Sequence, residues 1–245
     1  QRDEYRMPVS GVAGTITGSA LTDERVEAHG LSTRLRRRAG GLSLLGAGAL
    51  TFAGFLVTPW EGPGGTSAQL RTIAAHATQA QVAALLLHFG YLLLVPAAFT
   101  LAYLTRRRAG RLSGTGLVLS ILGAGLSGLL VTDFFDLALA RQLPLGTAAR
   151  VSDAAKQLPM GAVLAKPTAL AAIIGLVLLV LAAWRAGWTS WWPALVIFAG
   201  WVLAFSGTTL PRAGAGSALV FAGLAVVGWR VLSMTDDEWE TGLPG

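Results

Sequence analysis

Leu42-Ser43-Leu44-Leu45-Gly46-Ala47-Gly48 returns almost unchanged as Leu119-Ser120-Ile121-Leu122-Gly123-Ala124-Gly125, each copy inside a long apolar run. Six such runs can be read, at 41–60, 82–104, 112–132, 167–184, 191–210 and 214–233. Each is close to the roughly 20 residues that an α-helix needs to cross the hydrocarbon core of a bilayer. Lipid offers no partner for backbone N–H and C=O groups, so such runs must close their own hydrogen bonds as helices. The expected fold is all-α: a polytopic membrane bundle of six transmembrane helices, arranged as three parallel-repeated helical hairpins.

Composition agrees with this reading. Apolar residues make up 53% of the chain and charged residues only 13%, against about 25% charged in ordinary soluble domains. With 245 residues, the chain has room for one membrane domain over 41–233, an N-terminal segment over 1–40 and an acidic tail over 234–245. The net charge of +6 comes mainly from Arg at span ends, where it serves topology, so no nucleic-acid partner is implied. The absence of Cys excludes disulfides, thiolate metal sites and thiol nucleophiles. An Arg-rich, Lys-poor, Ala- and Gly-heavy chain points to a high-GC bacterial genome.

Arg34, Arg36, Arg37 and Arg38 precede the first span, Arg106, Arg107, Arg108 and Arg111 fill the link after the second, and Arg185 and Arg230 close the fourth and sixth. The positive-inside rule therefore predicts that both termini face the cytoplasm of a bacterial inner membrane. Residues 1–20 lack the apolar core of a signal peptide. Residues 1–21 read as disordered, and 22–38 as an interfacial helix capped by Thr22, whose Arg cluster meets anionic headgroups.

The internal echo extends further. Leu56-Val57-Thr58 corresponds to Leu130-Val131-Thr132, and Gly65-Thr66-Ser67-Ala68 to Gly146-Thr147-Ala148-Ala149; a weaker third copy starts at Phe198-Ala199-Gly200. Counting back 18 residues from Arg106 and Arg230 reaches His88 and Arg212, and from Arg185 reaches Pro167, next to Lys166. Five helical turns, about 27 Å, return those side chains to one face near the opposite interface. With Glu61, Asp133 and Asp136 at the outer ends of the partner helices, they form a candidate polar cluster at the outer mouth. The other reading is that Arg212 and Lys166 snorkel to headgroups while His88 bonds a neighbouring helix.

Asp133-Phe-Phe-Asp136 places two carboxylates at i and i+3 on one helix face, an arrangement that suits a hard divalent cation. That cation is the one cofactor the sequence leaves room for; span-end anchoring is the alternative. No Asp, Glu, Lys or Arg lies near the middle of a span, which argues against proton-coupled carriers, pumps and voltage sensors. His88 alone at membrane depth is too little for bis-His haem ligation. No phosphate-binding loop, zincin or serine-hydrolase motif occurs.

Gly46, Gly48, Gly54, Gly123 and Gly128 supply small-residue spacing for close helix packing, within the chain or at a seam with a partner protein or second copy. Pro96 is expected to kink span two, and Trp60, Trp184, Trp188, Trp191, Trp192 and Trp229 to form an interfacial belt. Two outer segments should be helical: Ser67 to Phe89, as a continuous helix with an apolar stripe of Leu70, Ile73, Ala74 and Ala77, and 147–158. Asp236-Asp237-Glu238-Trp239-Glu240, with Thr235 as a cap, reads as a solvated tail or a short contact element.

This layout, with an outer helix before span two, His88-Phe-Gly-Tyr91 early in that span and an Arg-rich link after it, resembles uncharacterised six-helix membrane proteins of actinobacterial type. The resemblance implies the fold class and an inner-membrane location, and transfers no catalytic residues. The first functional expectation is a non-enzymatic protein that binds a lipid-like or hydrophobic ligand, or serves as a subunit of a membrane assembly. The alternatives are a metal-dependent enzyme acting on a lipid headgroup through Asp133 and Asp136, and a permease for a neutral solute or an exporter's membrane subunit.

Overall fold

The computed structural model describes residues 18–59, 64–123, 129–206 and 209–243, with side chains outside 18–30, 129–133 and 160–166. Ten helices lie among the described residues: α1 (Gly18–Val57), α2 (Gly65–Ala75), α3 (Ala77–Thr105), α4 (Gly110–Gly123), α5 (Leu129–Gln142), α6 (Leu145–Gln157), α7 (Pro159–Arg185), α8 (Trp192–Ser206), α9 (Leu210–Ser233) and α10 (Asp236–Thr241). Four segments, Leu31–Val57, Ala77–Thr105, Pro167–Arg185 and Leu210–Ser233, are long and apolar enough to cross a membrane. That marks a multi-pass membrane protein. At 15 residues, α8 is apolar but reaches only about 22 Å at 1.5 Å per residue. The expected third span divides between α4, residues 124–128 outside the described set, and the start of α5.

The long helices pair antiparallel, as close contacts at glycine show. On α1 and α3, Gly46 faces Leu93, Gly54 faces Leu87, and Gly90 faces Thr51. On α1 and α9, Gly48 meets Phe221 while Gly41 meets Leu232 and the carbonyl of Gly228. The α4–α7 pair crosses at Gly116 and Gly175, with Gly123 against Ala172, and the α8–α9 pair at Gly200 and Gly216. The core follows these seams, with Leu44, Leu101, Leu179, Ile197, Val220 and Leu224 fully buried. Large apolar side chains also face outward, among them Leu42, Phe89, Phe99, Leu122, Ile174 and Val202. A soluble protein would hide such a surface, and lipid solvates it.

Local sequence explains where the helices stop. Pro59 biases Thr58 away from helical backbone. The Thr58 hydroxyl donates to Gly54 O at 2.8 Å, and Gln79 Nε2 donates to the last carbonyl of α1, Val57 O, at 2.8 Å. At the end of α7, Gly187 takes φ +86°, with Gly187 N donating to Trp184 O and Trp188 N to Ala183 O, both at 2.9 Å. This is the Schellman arrangement that closes a helix through a left-handed glycine. Gly187→Ala should lower stability by about 1 kcal/mol, since a Cβ is disfavoured at that φ. Chemical denaturation in detergent checks it, and an unchanged midpoint would contradict it.

Four expectations change. Residues 22–38 form no separate interfacial helix, because α1 runs unbroken over 40 residues and already starts at Gly18, inside the stretch expected to be disordered. The outer helix before span two is not continuous: His76, at φ −118° and ψ 42°, separates α2 from α3. The break lets α2 turn onto α5 and α6 and bury Leu70 and Ile73, two members of the expected stripe. Trp188 leaves the expected belt, being 3% exposed within the core, whereas Trp184, Trp191, Trp192 and Trp229 do face outward. Finally, the acidic tail is no solvated end. It is a docked helix.

Candidate functional site

The links between paired helices sort the polar groups to two ends. At the first, which holds α2, α5 and α6, Leu70 packs against Ala148 and Ala149. Asp136 lies beneath this cap, 3% exposed. The Ser152 hydroxyl donates to Asp136 Oδ1 at 2.8 Å, and Lys156 Nζ stands 3.7 Å from Oδ2. Ser152 and Lys156 are one turn apart on α6, so one face of that helix holds the carboxylate from both sides. Nearby, the Thr66 hydroxyl donates to Asp153 Oδ1 at 2.5 Å, tying α2 to α6.

The expected outer-mouth cluster is only partly visible here. His88 is half-buried on α3, its ring edge-on to Phe89 with centroids 5.5 Å apart. Arg212 is exposed in the first turn of α9. No hydrogen bond or ion pair joins His88, Arg212 and Asp136 among the described residues. Glu61 and Gly128 lie outside the described residues, and the side chains of Asp133 and Lys166 do too. Among the described residues no group of three His, Asp or Glu converges. Any ion shared by Asp133 and Asp136 would compete with the Lys156 ammonium.

At the opposite end α10 docks onto arginines of α1 and α9 and onto Arg106, the residue after α3. Arg34 Nε and Arg37 Nε of α1 donate to the two oxygens of Asp236 at 2.8 and 3.2 Å. Arg37 also donates to Leu232 O, the Thr33 hydroxyl to Glu240 Oε1, and Arg106 Nη2 to Glu240 O. Trp239, 4% exposed, packs on Tyr103 with ring centroids 5.2 Å apart, and the Arg106 guanidinium lies 3.7 Å over the Tyr103 ring. Thr235 and Glu238 form a reciprocal capping box, which satisfies two backbone donors at the helix start. Of the two readings of this tail, the contact element capped by Thr235 is the one seen; its arginine partners were not identified from the sequence, although the opposite charges of tail and links are plain in it. Arg108 Nη1 reaches Ala186 O at 3.2 Å, so the Arg-rich links and the C-terminal helix share one end of the bundle.

The carboxyl of Asp236 is held below the usual carboxylate range, first by the Arg34 hydrogen bond, which outweighs the opposing effect of burial and is helped by the charges of Arg37 and Arg34. A lowered folded value means that its contribution to docking is complete above the free-carboxyl value, about 3.9, and fades as pH falls through the lowered one. Docking should therefore hold from neutral pH to about pH 5 and weaken in stronger acid. The fluorotryptophan NMR signal of Trp239 reads this directly, and release between pH 7 and 5 would contradict it.

A third feature lies between α3, α4 and α7. Tyr91, Leu94, Val95, Ser120, Gly123, Ala172 and Leu176 line a crevice with about 20 Å³ of free volume, room for roughly one water-sized group. Several of these residues are half-buried, which sets the crevice at the edge of the bundle. Ser120 and Tyr91 bring hydroxyls to the lining, and that of Ser120 is buried without a hydrogen-bond partner. Comparison with protein-family models, curated proteins and solved structures finds no match to this chain. The chemistry of these sites therefore rests on the residues alone.

Proposed function

We propose that this chain is a six-crossing protein of the bacterial cytoplasmic membrane, with its arginine end in the cytoplasm, which holds a lipid-like or other hydrophobic ligand without catalysis. The observation that carries the reading is the α3–α4–α7 crevice. It is mostly apolar, with the hydroxyl-bearing Ser120 and Tyr91 in its lining, and sits at the lipid-facing edge of a bundle. A crevice of this size admits one small group of a ligand beside Ser120 and Tyr91, while the rest of the molecule lies along the apolar outer face of the bundle. The described carboxylates support the same reading, since Asp136, Asp153, Asp236 and Glu240 bond neighbouring helices rather than a shared cavity.

Native mass spectrometry of protein gently extracted from its own membranes tests it. A retained lipid or other apolar molecule in the parent, lost in Val95→Phe, supports the reading. A bare chain in both would sink it, and a stoichiometric protein partner would make the chain an assembly subunit instead. Ser120→Ala has its own expected result. Removing a buried unpaired hydroxyl relieves a penalty of about 1–3 kcal/mol, so the melting temperature of the ligand-free protein should hold or rise. A clear fall would show that the hydroxyl has a partner.

A further inference from the structure

We propose that the arginine end carries a binding site for phosphate-bearing anions, in which α10 sits as an internal stand-in for the ligand. The proposal rests on the membrane reading but not on the crevice. Four guanidinium groups, two from α1, one from the residue after α3 and one from α9, converge on this six-residue segment. Arg34 and Arg37 grip the Asp236 carboxylate at 2.8 and 3.2 Å, Arg106 takes the Glu240 carbonyl at 2.7 Å, and Arg230 Nη2 stands 3.9 Å from Glu238 Oε1. A guanidinium fork binds phosphate oxygens by the same geometry it uses for carboxylates. What α10 fills is therefore a site that a phosphate group fits.

The occupant is built to leave. A helix of six residues does not persist in water on its own, so α10 keeps its form only while docked. Its one large apolar anchor is Trp239, and the rest of its hold is made of ion pairs and hydrogen bonds that water or another anion can replace. Arg34 and Arg230 have side chains 63% and 43% exposed, open to approach from outside. Arg34 lies in the first turn of the membrane-crossing segment Leu31–Val57, and Arg106 directly follows Ala77–Thr105, which sets the ring at headgroup height. An anionic leaflet attracts these arginines and repels Asp236, Asp237, Glu238 and Glu240. Both effects favour exchange of α10 for a lipid phosphate.

The chain has no cysteine, so two can be introduced for spin labels: Asp237→Cys on α10 and Thr115→Cys on α4, both exposed positions. Distances would be read in nanodiscs of phosphatidylcholine, of phosphatidylcholine with phosphatidylglycerol, and of phosphatidylcholine with added inorganic phosphate. A single narrow distance is expected in the first. A second, broader distance should grow with phosphatidylglycerol content. If it also grows with soluble phosphate alone, the source is the free anion rather than the headgroup. Trp239→Ala should show the released distance in every condition and retain more phosphatidylglycerol by native mass spectrometry. A parent fixed at one distance in all three conditions, while Trp239→Ala shows the released one, would overturn the proposal. Equal lipid retention by parent and Trp239→Ala would do the same.

Discussion

Gly216→Leu is expected to unseat α9 from α8 and lower stability by about 3 kcal/mol or more, at or above the top of the usual range for overpacking. A Cβ at Gly216 would land on the backbone nitrogen of Ala204 and come within 2.6 Å of Gly200 O. Those atoms belong to the facing helix itself, so no rotamer change makes room. The helices would have to separate, and Ile197, Ala204 and Val220, each 2% exposed or less, would lose their contacts. Gly114→Leu is the matched control, because nothing lies within 4 Å of a Cβ there. Leucine is also the better helix former by several tenths of a kcal/mol, so any loss at Gly216 is a loss of packing. Thermal unfolding in nanodiscs compares the two. Equal melting temperatures would refute the crossing geometry.

The same crossing shows what the sequence made legible. Apolar length alone located the four helices long enough to cross a membrane, because lipid leaves the backbone one way to satisfy itself. Which small residues mark the seams was harder to read. Gly46, Gly48, Gly54 and Gly123 do face neighbouring helices, yet the tightest approaches also involve Gly175, Gly200 and Gly216, which were not singled out. In runs so rich in Ala and Gly, every glycine looks alike until the partner helix is known. The break at His76 was hidden for a related reason. No Gly or Pro marks it, and it arises because α2 gains burial of Leu70 against α6. Docking of the tail depended on charges some two hundred residues apart, as in the pairing of Arg34 with Asp236, which no local pattern records.

Asp136 stands out in the sequence by its spacing from Asp133, and its surroundings give that carboxylate a structural role through Ser152 and Lys156. Asp136→Ala should loosen the α2–α5–α6 cap by about 2 kcal/mol. The main term is the hydrogen bond from Ser152 to a charged acceptor, in the range of about 1.5–3 kcal/mol. Both residues are buried, Ser152 at 1% and Asp136 at 3% exposed, so the hydroxyl left behind finds no water. The Lys156 contact adds little, because that side chain is 44% exposed and can return to solvent. Asp136→Asn keeps the shape and one acceptor oxygen, so it should recover most of the loss. Hydrogen exchange over 145–157 reads the cap directly, without needing global unfolding. The same measurement with magnesium or with a chelator separates the structural role from a metal site. If the carboxylate serves Ser152 and Lys156, exchange in the parent is the same in both conditions. Should magnesium slow exchange in the parent and have no effect in Asp136→Ala, the ion must displace Lys156, and a headgroup-acting metal enzyme becomes the better account of this chain.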